Sequence, residues 1–414
     1  MKKKLGKRLS AVLTAGILTA QMAVTVGAAG AVNTPVDGTT TTFNKYLVMD
    51  EGANVPNTTF SYTIETGATV AATGTTPEVR AGSDATGTPT IGAAAFSSGD
   101  PTGTSAAKLA ADDDPALTGS QKYAKKTVTV NFTSVSFPYP GIYRYIITEG
   151  TASNPKGITN DAINPRYLDV YIQDADGNGT LSVQGYRLHN NTSVAVKSNG
   201  NYAGGRAASG KDTGFDNTYD TKNLTISKTV TGNQGDRGEY FPFTITINGA
   251  NPSTVYTVDL TKADPSAAVK SQTGVTTAET NPGTQTSDAA GNLTCTYYLK
   301  ADQSVVIKGI PAGATYTVTE GVLSAEGYTT SYKVTNTDTA EVINDTATGT
   351  AYADGSFAVP GKDVNQTAAF TNDRAGTVPT GLFYDMAPYI FMVVIAIASV
   401  MIFFFGKRNK KHHA

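Results

Sequence analysis

Between its two ends the chain alternates apolar and polar residues with a period of two, the pattern of strands that bury one face. Phe43, Lys45, Leu47 and Met49 fall on one face, as do Leu224, Ile226, Lys228 and Val230. Tyr143, Tyr145 and Ile147 lead to Glu149, and Tyr316 and Val318 lead to Glu320. Phe215 shares a face with Asn217, and Phe370 with Asn372. Gly, Pro, Asn and Asp punctuate these runs, and helical periodicity is absent. The expectation is an all-β protein built of immunoglobulin-like sandwiches. The opposite faces are not all polar: Tyr46, Val48 and Ile146 are apolar or aromatic where water would be expected.

The pattern occurs twice. The first copy runs from Phe43-Asn44-Lys45 through Ile147-Thr148-Glu149-Gly150 to Phe215-Asp216-Asn217. The second runs from Ile226-Ser227-Lys228 through Val318-Thr319-Glu320-Gly321 to Phe370-Thr371-Asn372. Two tandem domains are therefore expected, 33–219 and 220–373, with almost no linker. The first carries a Gly/Thr/Ala/Ser/Asp-rich stretch from Gly67 to Gly119, read as a surface excursion or a partly disordered segment. A second polar insert spans Asn190 to Ser209.

Six polar residues thus occupy positions where the pattern calls for buried apolar ones. Any one of them has an ordinary reading: a strand-edge Lys keeps its ammonium in water, and a Glu after a strand opens a turn. The same Lys, Glu and Asn in the same order twice is harder to ascribe to chance. A desolvated Lys loses its proton and becomes nucleophilic. A desolvated Glu keeps its proton and can donate to a carbonyl. An Asn carboxamide held beside them can be attacked at Cγ, giving a Lys–Asn isopeptide bond and releasing ammonia. Such a reaction runs once per domain and is not turned over, so no enzyme is implied.

The ends of the chain add an itinerary. Lys2, Lys3, Lys4, Lys7 and Arg8 precede an uncharged stretch from Leu9 to Val26, and small residues follow at Gly27, Ala28 and Ala29. This is the form of a secretory signal peptide over 1–29. A membrane span is the other reading, and Ser10, Thr14, Gly16, Thr19 and Gln21 count against it. In the segment 374–414, Val378-Pro379-Thr380-Gly381 precedes an apolar run from Met386 to Phe405, and Lys407-Arg408-Asn409-Lys410-Lys411 closes it. The run is long enough to cross a bilayer, and the basic end would stay cytoplasmic. Motif, span and basic tail in this order resemble the LPXTG-like sorting signal cut by sortases, with Val in place of the commoner Leu. Cleavage would fall between Thr380 and Gly381, passing the Thr carbonyl to an amine.

Composition narrows the field. Lys and Arg number 32 against 34 Asp and Glu, a formal net charge of -2, which gives no footprint for nucleic acid. The one cysteine, Cys295, excludes an intrachain disulfide, so an exported chain needs another source of robustness. Of three histidines, only His189 lies outside the tail; it is expected at a strand end on the surface. No Ser-His-Asp, Cys-His or paired-His constellation suggests itself, and no cofactor or metal is implied. Asp174-Ala175-Asp176-Gly177-Asn178-Gly179 has the start of a Ca²⁺ loop, but Gly185 stands where the closing Glu would, so a hairpin turn is the better reading.

These features together resemble the backbone (major) pilins of Gram-positive bacteria, of the streptococcal T-antigen type. Val55-Pro56-Asn57-Thr58-Thr59-Phe60, Thr231-Gly232-Asn233-Gln234-Gly235-Asp236-Arg237, both Thr-Glu pairs and Phe370-Thr371-Asn372-Asp373 carry the likeness. The resemblance implies one isopeptide bond in each of two immunoglobulin-like domains: Lys45–Asn217 assisted by Glu149, and Lys228–Asn372 assisted by Glu320. It implies a pilus-assembling sortase, neighbouring subunits, tip or base pilins and possible contact with a host surface as partners. It also implies an acceptor lysine near the end of the first domain. Lys211 sits about there, one residue off the pattern, with Lys197 as the fallback and a solvated loop lysine as the ordinary reading. The expected role is a covalently polymerised pilus shaft on the cell wall; a wall-anchored monomeric adhesin or minor pilin is the alternative.

Overall fold

The computed structural model describes residues 39–409 apart from 75–76, 191–211, 262–267, 271–275, 279–282, 322–325 and 377–380; for 268–270, 276–278, 381–387 and 404–409 it describes the backbone alone. The expected signal peptide, Lys197, Lys211 and Val378, Pro379 and Thr380 lie outside the described residues.

Two β-sandwiches of the immunoglobulin-like kind follow one another, with only Asp220 between the strands Gly214–Tyr219 and Thr221–Thr231. In the first, one sheet runs in the order Ile158–Thr159, Gly214–Tyr219, Thr40–Asp50, Gln121–Asn131, Thr90–Ile91. The facing sheet runs Leu181–His189, Arg166–Asp174, Gly141–Glu149, Tyr62–Thr66. In the second sandwich the strand Thr221–Thr231 lies between Ser304–Pro311 and Gln366–Asp373, and Thr315–Glu320 faces it from the other sheet. The alternating apolar residues meet between the sheets, with Phe43, Leu47, Phe60, Tyr145 and Phe215 in one core and Ile226, Phe243, Val318 and Phe370 in the other.

Each sandwich pairs its first strand with its last in parallel. Parallel neighbours cannot be joined by a tight turn, so this pairing closes the domain across nearly its whole length. The register is the same in both. Lys45 stands opposite Phe215 and Lys228 opposite Phe370, so each Asn lies two residues beyond its lysine's partner and shares its face.

The stretch 67–119 departs from expectation. It forms the strands Val79–Ala81, Thr90–Ile91, Ala94–Phe96 and Thr102–Thr104 and packs on the first sandwich. Its anchor is Asp113, fully buried beneath the excursion. The Asp113 carboxylate accepts hydrogen bonds from Tyr123 at 2.7 Å and Tyr46 at 3.3 Å and pairs with Lys125. Leu117 packs on Tyr46, Val48 and Tyr123. The outer face of the first strand is aromatic because this segment covers it. Few large apolar residues are needed when one desolvated carboxylate gathers several donors.

The two sandwiches meet along a polar seam. Asn54 Nδ2 donates to Val255 O at 3.0 Å and to Thr257 Oγ1 at 3.1 Å. Buried Asn251 donates to the Tyr219 hydroxyl at 3.1 Å. Gly157 adopts φ 70° there, and a Cβ would stand 2.6 Å from Asp220 O, so the approach of the chains requires glycine.

The expected membrane span falls within the helix Gly381–Asn409. Described side chains in this helix cover 388–403, where all are exposed. No helix among the described residues is long and apolar enough to cross a membrane, so the span over Met386–Phe405 is a reading of the sequence alone.

Candidate functional site: a buried Lys, Glu and Asn in each sandwich

The second sandwich shows the arrangement most plainly. Lys228, Glu320 and Asn372 are each no more than 1% exposed. Lys and Asn come from adjacent strands of one sheet, and Glu reaches across the core from the facing sheet. Lys228 Nζ donates to Glu320 Oε1 at 2.7 Å, and Asn372 Nδ2 donates to the same oxygen at 2.7 Å. The ammonium sits 4.3 Å from the centre of the Phe241 ring. Burial pulls the Lys228 amine down to about 8, with Glu320 opposing the shift. Burial likewise pushes the Glu320 carboxyl above its ordinary value, against the pull of Lys228. Both shifts favour the neutral amine beside the protonated acid.

The first sandwich repeats the geometry. Lys45 and Asn217 are fully buried, Glu149 nearly so, and Lys45 Nζ contacts Glu149 Oε1. The Phe60 ring lies 4.3 Å below Lys45 Nζ, matching Phe241 in the other unit. Burial lowers the Lys45 amine to about 8. Tyr62 adds a 3.1 Å hydrogen bond to Glu149 Oε1. The carboxamide is held differently. Asn217 Oδ1 accepts from the Asp161 backbone N–H at 2.8 Å, and Nδ2 donates to Asn160 Oδ1 at 3.3 Å.

The structure thus groups the six residues singled out in the sequence into two triads: Lys contacts Glu in both, Asn372 contacts Glu320 in the second, and in the first Asn217 shares the face of Lys45 through the strand register. A lysine of lowered basicity beside a carboxyl and a carboxamide can form an amide by attack on the carboxamide carbon. Asn160, Asp161 and Asn164 escaped the sequence reading because they lie on an irregular loop with no periodic signal. Asn164 matters through its carboxamide, which accepts from Glu149 N at 3.0 Å and donates to Glu149 O at 2.9 Å.

His189 corrects another expectation. It does end a strand, Leu181–His189, but it is buried, with Nε2 3.3 Å from Asp169 Oδ2. Asp169 also receives Arg144 Nε at 2.7 Å and Nη2 at 2.8 Å, so the imidazole joins a buried ion pair instead of facing water. Asp174–Gly179 turns between Arg166–Asp174 and Leu181–His189, with Gly179 N donating to Asp174 Oδ2 at 3.0 Å. Among the described residues no group of three His, Cys, Asp or Glu is placed to hold a metal.

Comparison with known proteins matches residues 42–220 to the Spy0128-like isopeptide containing domain, and residues 222–374 to a domain of unknown function, DUF7601. A pilin of Streptococcus pyogenes serotype M1 is 26% identical over 290 residues, covering 69% of this chain and 72% of that protein. Among solved structures, the major pilin of Streptococcus pyogenes superposes with a TM-score of 0.50 at 21% identity, covering 82% of this chain and 100% of that one. The T3.2 major pilin of the same organism gives a TM-score of 0.48 at 18% identity, covering 84% of this chain and 100% of that one.

Proposed function

We propose that the chain is a Gram-positive backbone pilin, the shaft subunit of a sortase-assembled pilus whose two sandwiches are each closed by a Lys–Asn isopeptide bond. One observation supports this reading above the others. In both sandwiches a buried Lys and Asn share one face of paired strands in the same register, and a buried Glu of the facing sheet contacts the Lys. A core that buried three polar side chains for no return would be replaced by apolar residues at little cost. The proposed bonds are Lys45–Asn217, with Glu149 as acid and base, and Lys228–Asn372, with Glu320 in that role.

The chemistry follows from the pairs. Glu takes a proton from the lysine, and neutral Nζ attacks Asn Cγ. The Nζ–Cγ bond forms, the Cγ–Nδ2 bond breaks, and the Nζ proton passes through Glu to the departing group, which leaves as ammonia. Adjacent strands hold nucleophile and carboxamide together, which supplies much of the rate. Each site reacts once, so the protein is a structural subunit and not a turnover catalyst.

The bond joins the first and last strands of its domain. Tension applied at the ends of a sandwich then loads a covalent link instead of the hydrogen bonds between those strands. It also closes a long loop, which restricts the unfolded chain as a disulfide would. Polymerisation would join Thr380 of one subunit, released from Gly381 by the sortase, to a lysine of the next; Lys211 is the proposed acceptor, and Lys197 is the fallback assignment. Tip or base pilins and a host surface would be further partners.

Denaturing electrophoresis of surface extracts tests the assembly. A ladder of high-mass species that contracts to a monomer in Lys211→Ala is expected. One wall-linked band of monomer mass in the wild type would instead fit a monomeric adhesin or minor pilin and sink the shaft reading.

A further inference from the structure

The loop from Asn160 to Arg166 touches two members of the first triad, the Asn217 carboxamide and the Glu149 backbone. A chain of directional hydrogen bonds fixes the Asn217 carboxamide. Gly150 O can only accept, so the Asn160 group facing it at 3.1 Å is the NH₂. Asn160 therefore presents Oδ1 to Asn217 Nδ2. At the other end the Asp161 backbone N–H can only donate, so it faces Asn217 Oδ1, at 2.8 Å. The two backbone anchors leave one orientation for both amides.

The loop itself is held. Asp161 Oδ2 accepts from Asp216 N at 2.8 Å and from buried Arg166 Nη2 at 2.8 Å, and Asp161 Oδ1 accepts from Ile163 N at 2.8 Å. Asn164 grips both backbone groups of Glu149. The second sandwich differs. Asn372 points Nδ2 at Glu320, and among the described residues its buried Oδ1 has no hydrogen-bond partner.

Resting on the isopeptide reading above, the geometry points to the Asp161 backbone N–H as an oxyanion donor for the Lys45–Asn217 bond, with Asn160 as the positioning residue that turns the carboxamide toward it. As Lys45 Nζ attacks Cγ, negative charge develops on Oδ1, the atom the N–H already addresses. A fixed donor in a water-excluded core stabilises that charge without reorganisation. The bond-making steps and the released ammonia are unchanged; the donor lowers the barrier to the tetrahedral intermediate. The first bond thereby acquires an electrophilic element that the second lacks among the described residues.

The test follows both bonds in freshly synthesised full-length chain, by mass spectrometry of the cross-linked tryptic peptides over time. Asp161→Pro deletes the N–H and is expected to slow the first bond about 100-fold, the effect of losing one oxyanion donor, with the second bond unchanged. Asp161→Asn keeps the N–H and is expected to form the first bond at least about tenfold faster than Asp161→Pro. Wild-type speed in Asp161→Pro, or equal slowing in both variants, overturns the proposal while leaving the isopeptide reading intact. If Asp161→Pro loses protease resistance in the first sandwich, Asn160→Leu decides. Slowing of the first bond alone by about tenfold or more supports the proposal, and wild-type speed overturns it. Failure of both bonds to form in the wild type would remove the underlying reading itself.

Discussion

Lys228 donates a 2.7 Å hydrogen bond to Glu320 across a core in which neither side chain is exposed. Taking two charges into such a place costs several kcal/mol per ion, and their attraction offsets this only in part. The pair is thus a poor device for stability and a good one for moving a proton.

That asymmetry gives a stability prediction. Glu320→Ala and the double variant Lys228→Met/Glu320→Leu should both abolish the second bond. The double variant replaces both buried partners by apolar side chains of similar shape, whereas Glu320→Ala strands Lys228 without its partner. Removing one partner of a buried pair costs about 3–5 kcal/mol, while apolar replacement of both is close to neutral. Glu320→Ala should therefore unfold at lower denaturant than the double variant by a margin of that order. Equal midpoints would mean that Lys228 is not desolvated in the unlinked state.

The pH dependence of bond formation follows from the shared proton. The reactive form of the pair holds one proton, on Glu320, with Lys228 neutral. Below the raised Glu320 value a second proton binds and Lys228 stays an ammonium, so the rate falls. Above about 8, where the lysine titrates, the pair loses its single proton and the acid is gone, so the rate falls again. A bell-shaped profile is expected for freshly folded protein. A rate that keeps climbing through pH 9–10 would show that the neutral amine alone suffices.

Asp113→Ala should free the 67–119 excursion. It leaves Tyr123, Tyr46 and Lys125 without their common acceptor in a buried place. The expected cost is about 3 kcal/mol, with faster proteolysis between residues 97 and 119 while both triads stay linked. Unchanged proteolysis would mean that the strand pairing of Thr102–Thr104 with Gln121–Asn131 holds the segment by itself.

Period-two alternation made the triads legible, because a Lys, Glu or Asn on the core face of a strand breaks the rule visibly. Repetition then distinguished design from accident. The parallel register, with each Asn two residues past its lysine's partner, was out of reach, since pairing between strands far apart leaves no local mark. The covering of the first strand's outer face did leave one: Tyr46 and Val48 are aromatic and apolar where solvent was expected. His189 carried no such signal. His189 meets the Arg144–Asp169 ion pair from a different strand, and contacts between strands far apart leave no local mark in the sequence. Asn160 and Asp161 act through a loop, where no periodicity exists to be broken.

The most direct test of the central claim is the intact mass of the folded protein and of two variants. The account predicts a wild-type mass short of the sequence by two ammonia molecules beyond any leader removal, with Glu149→Ala and Glu320→Ala each regaining one. Fragmentation should place the links at Lys45–Asn217 and Lys228–Asn372. A wild-type mass equal to that of the unmodified sequence would contradict it.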